Sequence, residues 1–413
     1  MRRVPAACVA VPGLAMVLLL AGCGLGIETP LQLLTNRAEM AAYVDRFNSL
    51  QSDVKVEISY QENPSQAVLD GATGDIVIGQ WLSSPSVKDH LEGLGDIVKP
   101  GKIDPSWFYA RLLAMGARDN RPVLIPLSFS LPAIVYERQG VDLPAMFMPM
   151  DSLQSMSKAF LRTSKTGTVT SMGFSPSWNP DFLTLSALLS GAHLRPGRNG
   201  LPAWDDGGLS KTVELTRNWL DGINGGADTD AAFSLRNLVM PWYKLLSTGK
   251  TQFALVSFRD FFALPDEERR DFDFRWMSQD GIIPVPDDVL FAGVLRSSRD
   301  KAGAKAFLQW FCSLPVQLSM LSVNQSRRIG VFAITDGFPA WKSIDEKDLP
   351  ARYPLLLGHI PQENLLLFPE TLPDNWVKIR DGVVDPWILD AAAGKSADTL
   401  EKRLEDWQSS QKK

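Results

Sequence analysis

Cysteine and histidine are scarce in this chain. Its 413 residues hold three cysteines, at 8, 23 and 312, and three histidines, at 90, 193 and 359. Three cysteines cannot build a disulfide framework, and neither residue type recurs at the short spacing of a metal motif. No metal and no cofactor is expected, and a histidine-driven hydrolase is disfavoured. Positive charge is not concentrated anywhere: 42 Lys and Arg stand against 47 Asp and Glu, a net charge of -5. Without a basic cluster, nucleic acid is not an expected partner. The neighbouring carboxylates Asp205-Asp206 and Asp287-Asp288 sit in turn-like segments, where adjacent side chains point apart. Acid–base chemistry needs carboxylates that converge on a substrate, so no catalytic site and no enzyme is expected.

Long apolar runs are also rare. One uncharged stretch, residues 4–22, follows Arg2 and Arg3 and ends in Leu20-Ala21-Gly22-Cys23. A positive start, a short apolar run and small residues at its end describe a secretory signal. The last four residues resemble the lipobox of bacterial lipoproteins, in which the signal is removed before the cysteine and its thiol is diacylated. That resemblance makes 1–22 a signal peptide, Cys23 the lipidation site and 23–28 a lipidated tether. Each buried methylene contributes roughly 0.8 kcal/mol, so two or more acyl chains hold a domain firmly at a membrane. Beyond Cys23 the apolar candidate 122–136 is broken by Pro122, Pro126 and Pro132. The exported part is expected outside the cytoplasm, anchored in the cell envelope only by its lipid. Cys312 would then be the one remaining thiol, a small buried hydrophobe in an apolar helix pattern.

What is present suits a globular chain. Hydrophobic residues make up 45% and charged residues 22%, enough apolar material for two cores. After the tether, 29–35 reads as a strand. Asn36 and Glu39 have the spacing of a capping box, opening a helix with Met40, Tyr43, Val44 and Phe47 on one face. Val54, Val56, Ile58 and Tyr60 alternate as a second strand. The sequence 74–79, Gly-Asp-Ile-Val-Ile-Gly, is a short buried strand that opens into Gln80-Trp81-Leu82-Ser83-Ser84. This β-α-β order implies a parallel sheet with right-handed crossovers. Further strands are expected at 122–128, 133–136, 252–258 and 290–295. Further helices are expected at 181–190, 211–220, 235–246, 304–314 and 399–407. The twelve tryptophans divide into five on helical faces (107, 219, 242, 310 and 407), read as core, and others in loops, where they can stack on a flat ligand.

Several segments in order resemble the extracellular solute-binding proteins of bacterial ABC importers, the maltodextrin-binding-like cluster. They are AEMAAYVDRFNSL with VKVEISY, GDIVIGQW, VLIPLSFSLPAIVYER, STGKTQFALVSF, FAGVLRSSRDKAGAKAFLQWF, and PETLPDNWVKI with the closing helix. The likeness spans nearly all of 28–410. It implies an α/β, two-lobe periplasmic-binding-protein (Venus-flytrap) fold whose hinge is crossed more than once. The N-terminal lobe would take 28–132 and 291–337, and the C-terminal lobe 137–288 and 340–413. A small solute, a carbohydrate by resemblance, would lie between the lobes, and lobe closure would present it to the transmembrane subunits of an ABC permease. The receptor would act as a monomer.

Carried over position by position, the resemblance implies ligand contacts at Gln80, Trp81 and Ser83 in the first loop, and at Ser128 and Phe129 at the first crossing. It also implies Trp178 and Asn179 before a helix of the second lobe, Phe258 and Arg259 after a strand, and Trp376 in the tail. Aromatics would supply flat apolar faces, and Arg259 a fork for a carboxylate or vicinal hydroxyls. The family often places an Asp in the first loop, and here no carboxylate appears between Gln80 and Asp89. That departure opens an alternative: a homologue that keeps the fold but has lost transport, acting as an adhesin or sensory partner.

Overall fold

The computed structural model describes residues 29–139, 143, 146–326 and 331–411. The signal-like segment, Cys23 and the tether lie outside them. Ten strands carry the architecture: β1 (Leu31–Thr35), β2 (Val56–Tyr60), β3 (Ile76–Gln80), β4 (Leu124–Phe129), β5 (Ala133–Glu137), β6 (Phe147–Pro149), β7 (Ala254–Val256), β8 (Phe272–Ser278), β9 (Leu290–Val294) and β10 (Phe338–Pro339). They form two separate sheets. The first has the order β10-β4-β9-β3-β1-β2 and the second β7-β5-β8-β6.

In the first sheet β1 runs parallel to β2 and β3, as the β-α-β reading predicts. Between β1 and β2 lies helix α1 (Met40–Leu50), whose buried face is Met40, Tyr43, Val44 and Phe47. Tyr43 and Phe47 meet Phe311 and Phe307, at 4.7 and 5.1 Å between ring centroids. Both partners come from a helix more than 250 positions later, Lys301–Phe311. Each such fully buried side chain contributes about 1.5–3 kcal/mol, so the late segment is bound firmly to the opening one. Cys312, at the end of that helix, is fully buried.

Strand β9 enters antiparallel between β3 and β4. Its register sets Leu290 opposite both Gln80 and Ser128. The residues just before β9 therefore lie at the same sheet edge as the carboxyl ends of β3 and β4. Gly79 makes this edge compact: a Cβ there would come within 2.8 Å of Pro64, at the start of the helix Pro64–Leu69.

The chain crosses from the first sheet to the second between β4 and β5, only three residues apart. It returns between β8 and β9. In the second half, helix α2 (Pro180–Leu189) and helix α3 (Asp206–Gly222) pack with the tail, a helical run over 376–392 followed by Leu400–Gln411. A π-helical turn, Arg380–Val384, interrupts that run. Of the tryptophans read as core, Trp219 is fully buried, while Trp107, Trp242, Trp310 and Trp407 are partly buried against the clusters. Among the described residues, no single helix is long and apolar enough to cross a membrane.

Candidate functional site: a polar cleft between the two sheets

A cavity of about 430 Å³ opens where the carboxyl ends of β1, β3 and β4 face the segment after β7. Its walls come from both halves. Asn36, Arg37 and Glu39 follow β1, Gln80 ends β3, Ser128 and Phe129 end β4, and Ser130 follows it. Ser257, Arg259 and Asp260 follow β7, Asp288 precedes β9, and Thr335 to Gly337 precede β10. Open α/β sheets present their binding loops at this edge. The volume falls within the roughly 300–1,000 Å³ of small-molecule sites.

The lining is polar and rich in carboxylates. Asp288 Oδ2 accepts from Ser130 Oγ at 2.9 Å and from Gln80 Nε2 at 3.4 Å. Burial pushes the Asp288 carboxyl up to about 6, against the lowering effect of the Ser130 hydrogen bond. Burial also raises Glu39 and Asp336 above the usual carboxylate range. Asp336 accepts the Phe332 backbone N–H at 3.0 Å and meets Arg259 Nε at 3.4 Å. The Ser128 and Thr335 hydroxyls are 2.7 Å apart. Several polar atoms on these lining residues are shielded from solvent and have no hydrogen-bond partner: Asn36 Oδ1, Arg37 Nε, Glu39 Oε1 and Asp288 Oδ1. A buried polar group left unmade costs about 1–3 kcal/mol, so each is a cost that the folded cleft carries.

The loop over the cavity is conformationally costly. Ala333, Thr335 and Asp336 all have positive φ, 46, 50 and 61°, and for a β-branched residue such as Thr335 this is an unfavourable conformation. Strain of this kind persists where surrounding structure fixes it, and it concentrates at ligand clamps. Gly337 lets the loop lie on β4: a Cβ there would meet Phe129 O and Ser128 Cβ at 2.9 Å.

Of the sequence-predicted residues, Gln80, Ser128, Phe129 and Arg259 line this cavity. The others do not, and the physical reasons differ. Phe129 itself packs against Tyr109, Phe338 and Phe368 and is 2% exposed, so it offers no stacking face. Phe258 points away from the cleft into Phe274, Trp276, Phe332 and Phe338. Ser83 is buried beside neither wall.

Trp376 is 2% exposed, donates its indole N–H to Asp287, and belongs to the apolar cluster of α3 and the tail. Trp81, from the first half, packs against the same cluster. The two line a crevice of about 30 Å³, room for a water or two. Trp81 has φ 56° and a buried indole N–H without partner, a strained position that joins the halves at one end of the cleft.

Trp178 lies in a second cavity of about 430 Å³, in the second half, and stacks on Phe233 at 5.7 Å. Asn179 lines it as well, but its side chain accepts from Asp181 N–H at 2.9 Å as a helix cap and donates to Leu255 O.

Sequence reasoning missed Asn36, Arg37, Glu39, Ser130, Asp288 and Asp336. The capping box read from Asn36 and Glu39 does not form: the helix begins at Met40 and neither side chain caps it. Asn36 Nδ2 instead donates to Glu62 O at 3.2 Å. The signal that could have found these residues was position alone, since all but Asp288 and Asp336 end or closely follow a strand that reaches this sheet edge. Asp287 and Asp288 do point apart. Asp287 meets Arg380 at 3.2 Å, while Asp288 faces the cavity. Among the described residues, no group of His, Cys, Asp or Glu is arranged to hold a metal ion.

Two α/β halves, joined by short crossings around a polar cleft, define the two-lobe binding-protein fold. The chain belongs to the bacterial extracellular solute-binding protein family, whose model matches residues 33–317. No curated protein sequence matches it. Solved structures match over most of its length. The sugar-binding protein MalE from the phytopathogen Xanthomonas citri is 12% identical with a TM-score of 0.69, covering 92% of this chain and 96% of that one. An ABC substrate-binding protein from Listeria monocytogenes, in complex with cycloalternan, is 15% identical with a TM-score of 0.65, covering 92% and 97%. A sugar transporter from Rhizobium etli in an open conformation is 16% identical with a TM-score of 0.65, covering 91% and 98%. At these identities the likeness is one of fold.

Proposed function

We propose that this chain is the solute receptor of an ABC importer, that its solute is a carbohydrate, and that Cys23 carries the lipid that moors it to the envelope. In this reading the lobes are 28–132 with 291–337 and 137–288 with 340–413, and the permease's transmembrane subunits receive the closed, monomeric receptor. The observation that carries the reading is the interlobe cavity itself, polar, of solute size, lined from both halves and bordered by buried groups without partners. Sugar-binding proteins of the same fold add weight: solved structures of several hold maltose, mannobiose or cycloalternan. The family's missing first-loop acid, which motivated the adhesin or sensory alternative, has substitutes here, because Glu39, Asp288 and Asp336 bring carboxylates to the cleft. Capture of a free solute is therefore favoured. Closure follows from differential affinity: a solute that touches both lobes binds the closed state better than the open one.

The test is a thermal-shift and titration screen of the exported domain against mono- and oligosaccharides. A true ligand at a hundredfold excess over its Kd adds about 2.7 kcal/mol of stability, and small-angle scattering should show compaction. Gln80→Ala should weaken that ligand several-fold. A broad panel that produces neither stabilisation nor compaction would remove the receptor reading.

A further inference from the structure

The cleft is chemically one-sided. Its lining holds four carboxylates, from Glu39, Asp260, Asp288 and Asp336, and two guanidiniums, from Arg37 and Arg259. Arg259 is 61% exposed at the rim and already meets Asp336. Asp260 is engaged by the Ser257 hydroxyl at 2.9 Å. Glu39 and Asp288 remain: Arg37 and Arg259 act on Glu39 against Asp336, and Arg37 is the cation acting on Asp288. Glu39 and Asp288 each keep one oxygen buried without a donor, and Asn36 adds a third such acceptor. Ser130 and Gln80 satisfy only the other oxygen of Asp288. Against three unpartnered acceptors stands one unpartnered donor, Arg37 Nε.

The cavity also lacks a stacking face. Phe129 is the aromatic residue on its wall, and its ring is consumed by core contacts. A neutral oligosaccharide, which gains from flat apolar surfaces, finds none here. An anionic sugar would meet Glu39 and Asp288 and lose more than Arg37 returns. A compact solute that supplies several donors and a positive charge complements this excess of acceptors and carboxylates. An ammonium group offers three donors and no acceptor, and charge-assisted hydrogen bonds to carboxylate are roughly twice as strong as neutral ones. Hydroxyls can serve the remaining mixed partners, Arg37 Nε and the Ser128, Ser130 and Thr335 hydroxyls.

We propose that the captured solute is a hydroxyl-rich cation, a sugar bearing a free protonated amine that is drawn by the cleft's excess of carboxylates, Asp288 and Glu39 above all. This rests on the carbohydrate reading above and names the class of sugar. The pH behaviour follows. Arg37 favours the ionised form of Asp288 while Asp287 and Asp181 oppose it, and burial raises its carboxyl to about 6. A proton on it competes with the ammonium, so affinity should fall as pH drops through 6.

The experiment is calorimetric titration of the exported domain with glucosamine, galactosamine, mannosamine and a glucosamine disaccharide, each paired with its N-acetyl and its neutral parent sugar. At least one free amine should bind ten-fold or more tightly than both of its partners, and the preference should shrink between pH 7.5 and 5. Asp288→Asn, or Glu39→Gln if the first variant folds poorly by circular dichroism, should abolish the preference. If a parent or N-acetyl sugar binds as tightly or more so, the amine assignment is wrong and the carbohydrate receptor stands. If no sugar of any kind binds, both fall.

Discussion

The indole N–H of Trp376 donates to Oδ2 of Asp287, a carboxylate whose two oxygens also accept from Arg380 Nη1, at 3.2 and 3.3 Å. The π-helical turn that starts at Arg380 directs this guanidinium inward, where it also reaches Asp181 and Asp381. The tail is thereby tied to the strand crossing next to the cleft. Trp376→Ala should cost about 3–5 kcal/mol in denaturant unfolding, as for other large-to-small core changes. Trp376→Phe keeps most of the packing and loses one hydrogen bond, so it should cost nearer 1 kcal/mol. Were Trp376 a solute-stacking residue instead, both variants would chiefly lower affinity and leave the unfolding midpoint in place.

The buried carboxyls make stability fall with rising pH. Burial raises Asp288 to about 6, Asp345 to about 7 and Asp385 to about 8. Tyr109 donates to Asp345 at 2.5 Å, and both Asp385 oxygens are buried without a donor. In the unfolded chain each would titrate near 3.9. Between roughly pH 4 and pH 8 the native state therefore holds protons that the unfolded state has released, and stability declines as pH rises. The melting temperature should be higher at pH 5 than at pH 8. Asp385→Asn, which imitates the protonated carboxyl, should flatten that slope and stabilise the protein most at pH 8. A melting temperature that climbs steadily from pH 5 to 8 would contradict the account.

Cys312 is fully buried, and burial alone pushes its thiol well above the usual range. Thiolate is the reactive form. The exported domain should therefore react with a thiol reagent only after denaturant is added, at a rate that follows global unfolding. Rapid labelling of the native domain would show that the helix end at Cys312 opens locally.

Periodicity made the scaffold readable. The spacing of Met40, Tyr43, Val44 and Phe47 marked the buried face of a helix, and the buried 76–79 run marked a central strand, because burying a stripe or a pleat leaves a pattern that local sequence must carry. The cleft was less legible. Loop aromatics drew attention, yet an aromatic side chain is equally at home in a core. Phe258, Phe129 and Trp376 show this, each buried where the resemblance implied a ligand contact.

The chain's own residues, through the family resemblance they carry, pointed to its class: a solute-binding protein built from two α/β halves. Only the tertiary structure decided what the cleft asks of its solute. Glu39, Asp288 and Asp336 are separated by up to about 300 positions and became neighbours through strand register and the antiparallel insertion of β9. Charge balance in a cavity depends on distances across sheets, and a linear pattern of residues does not contain those distances.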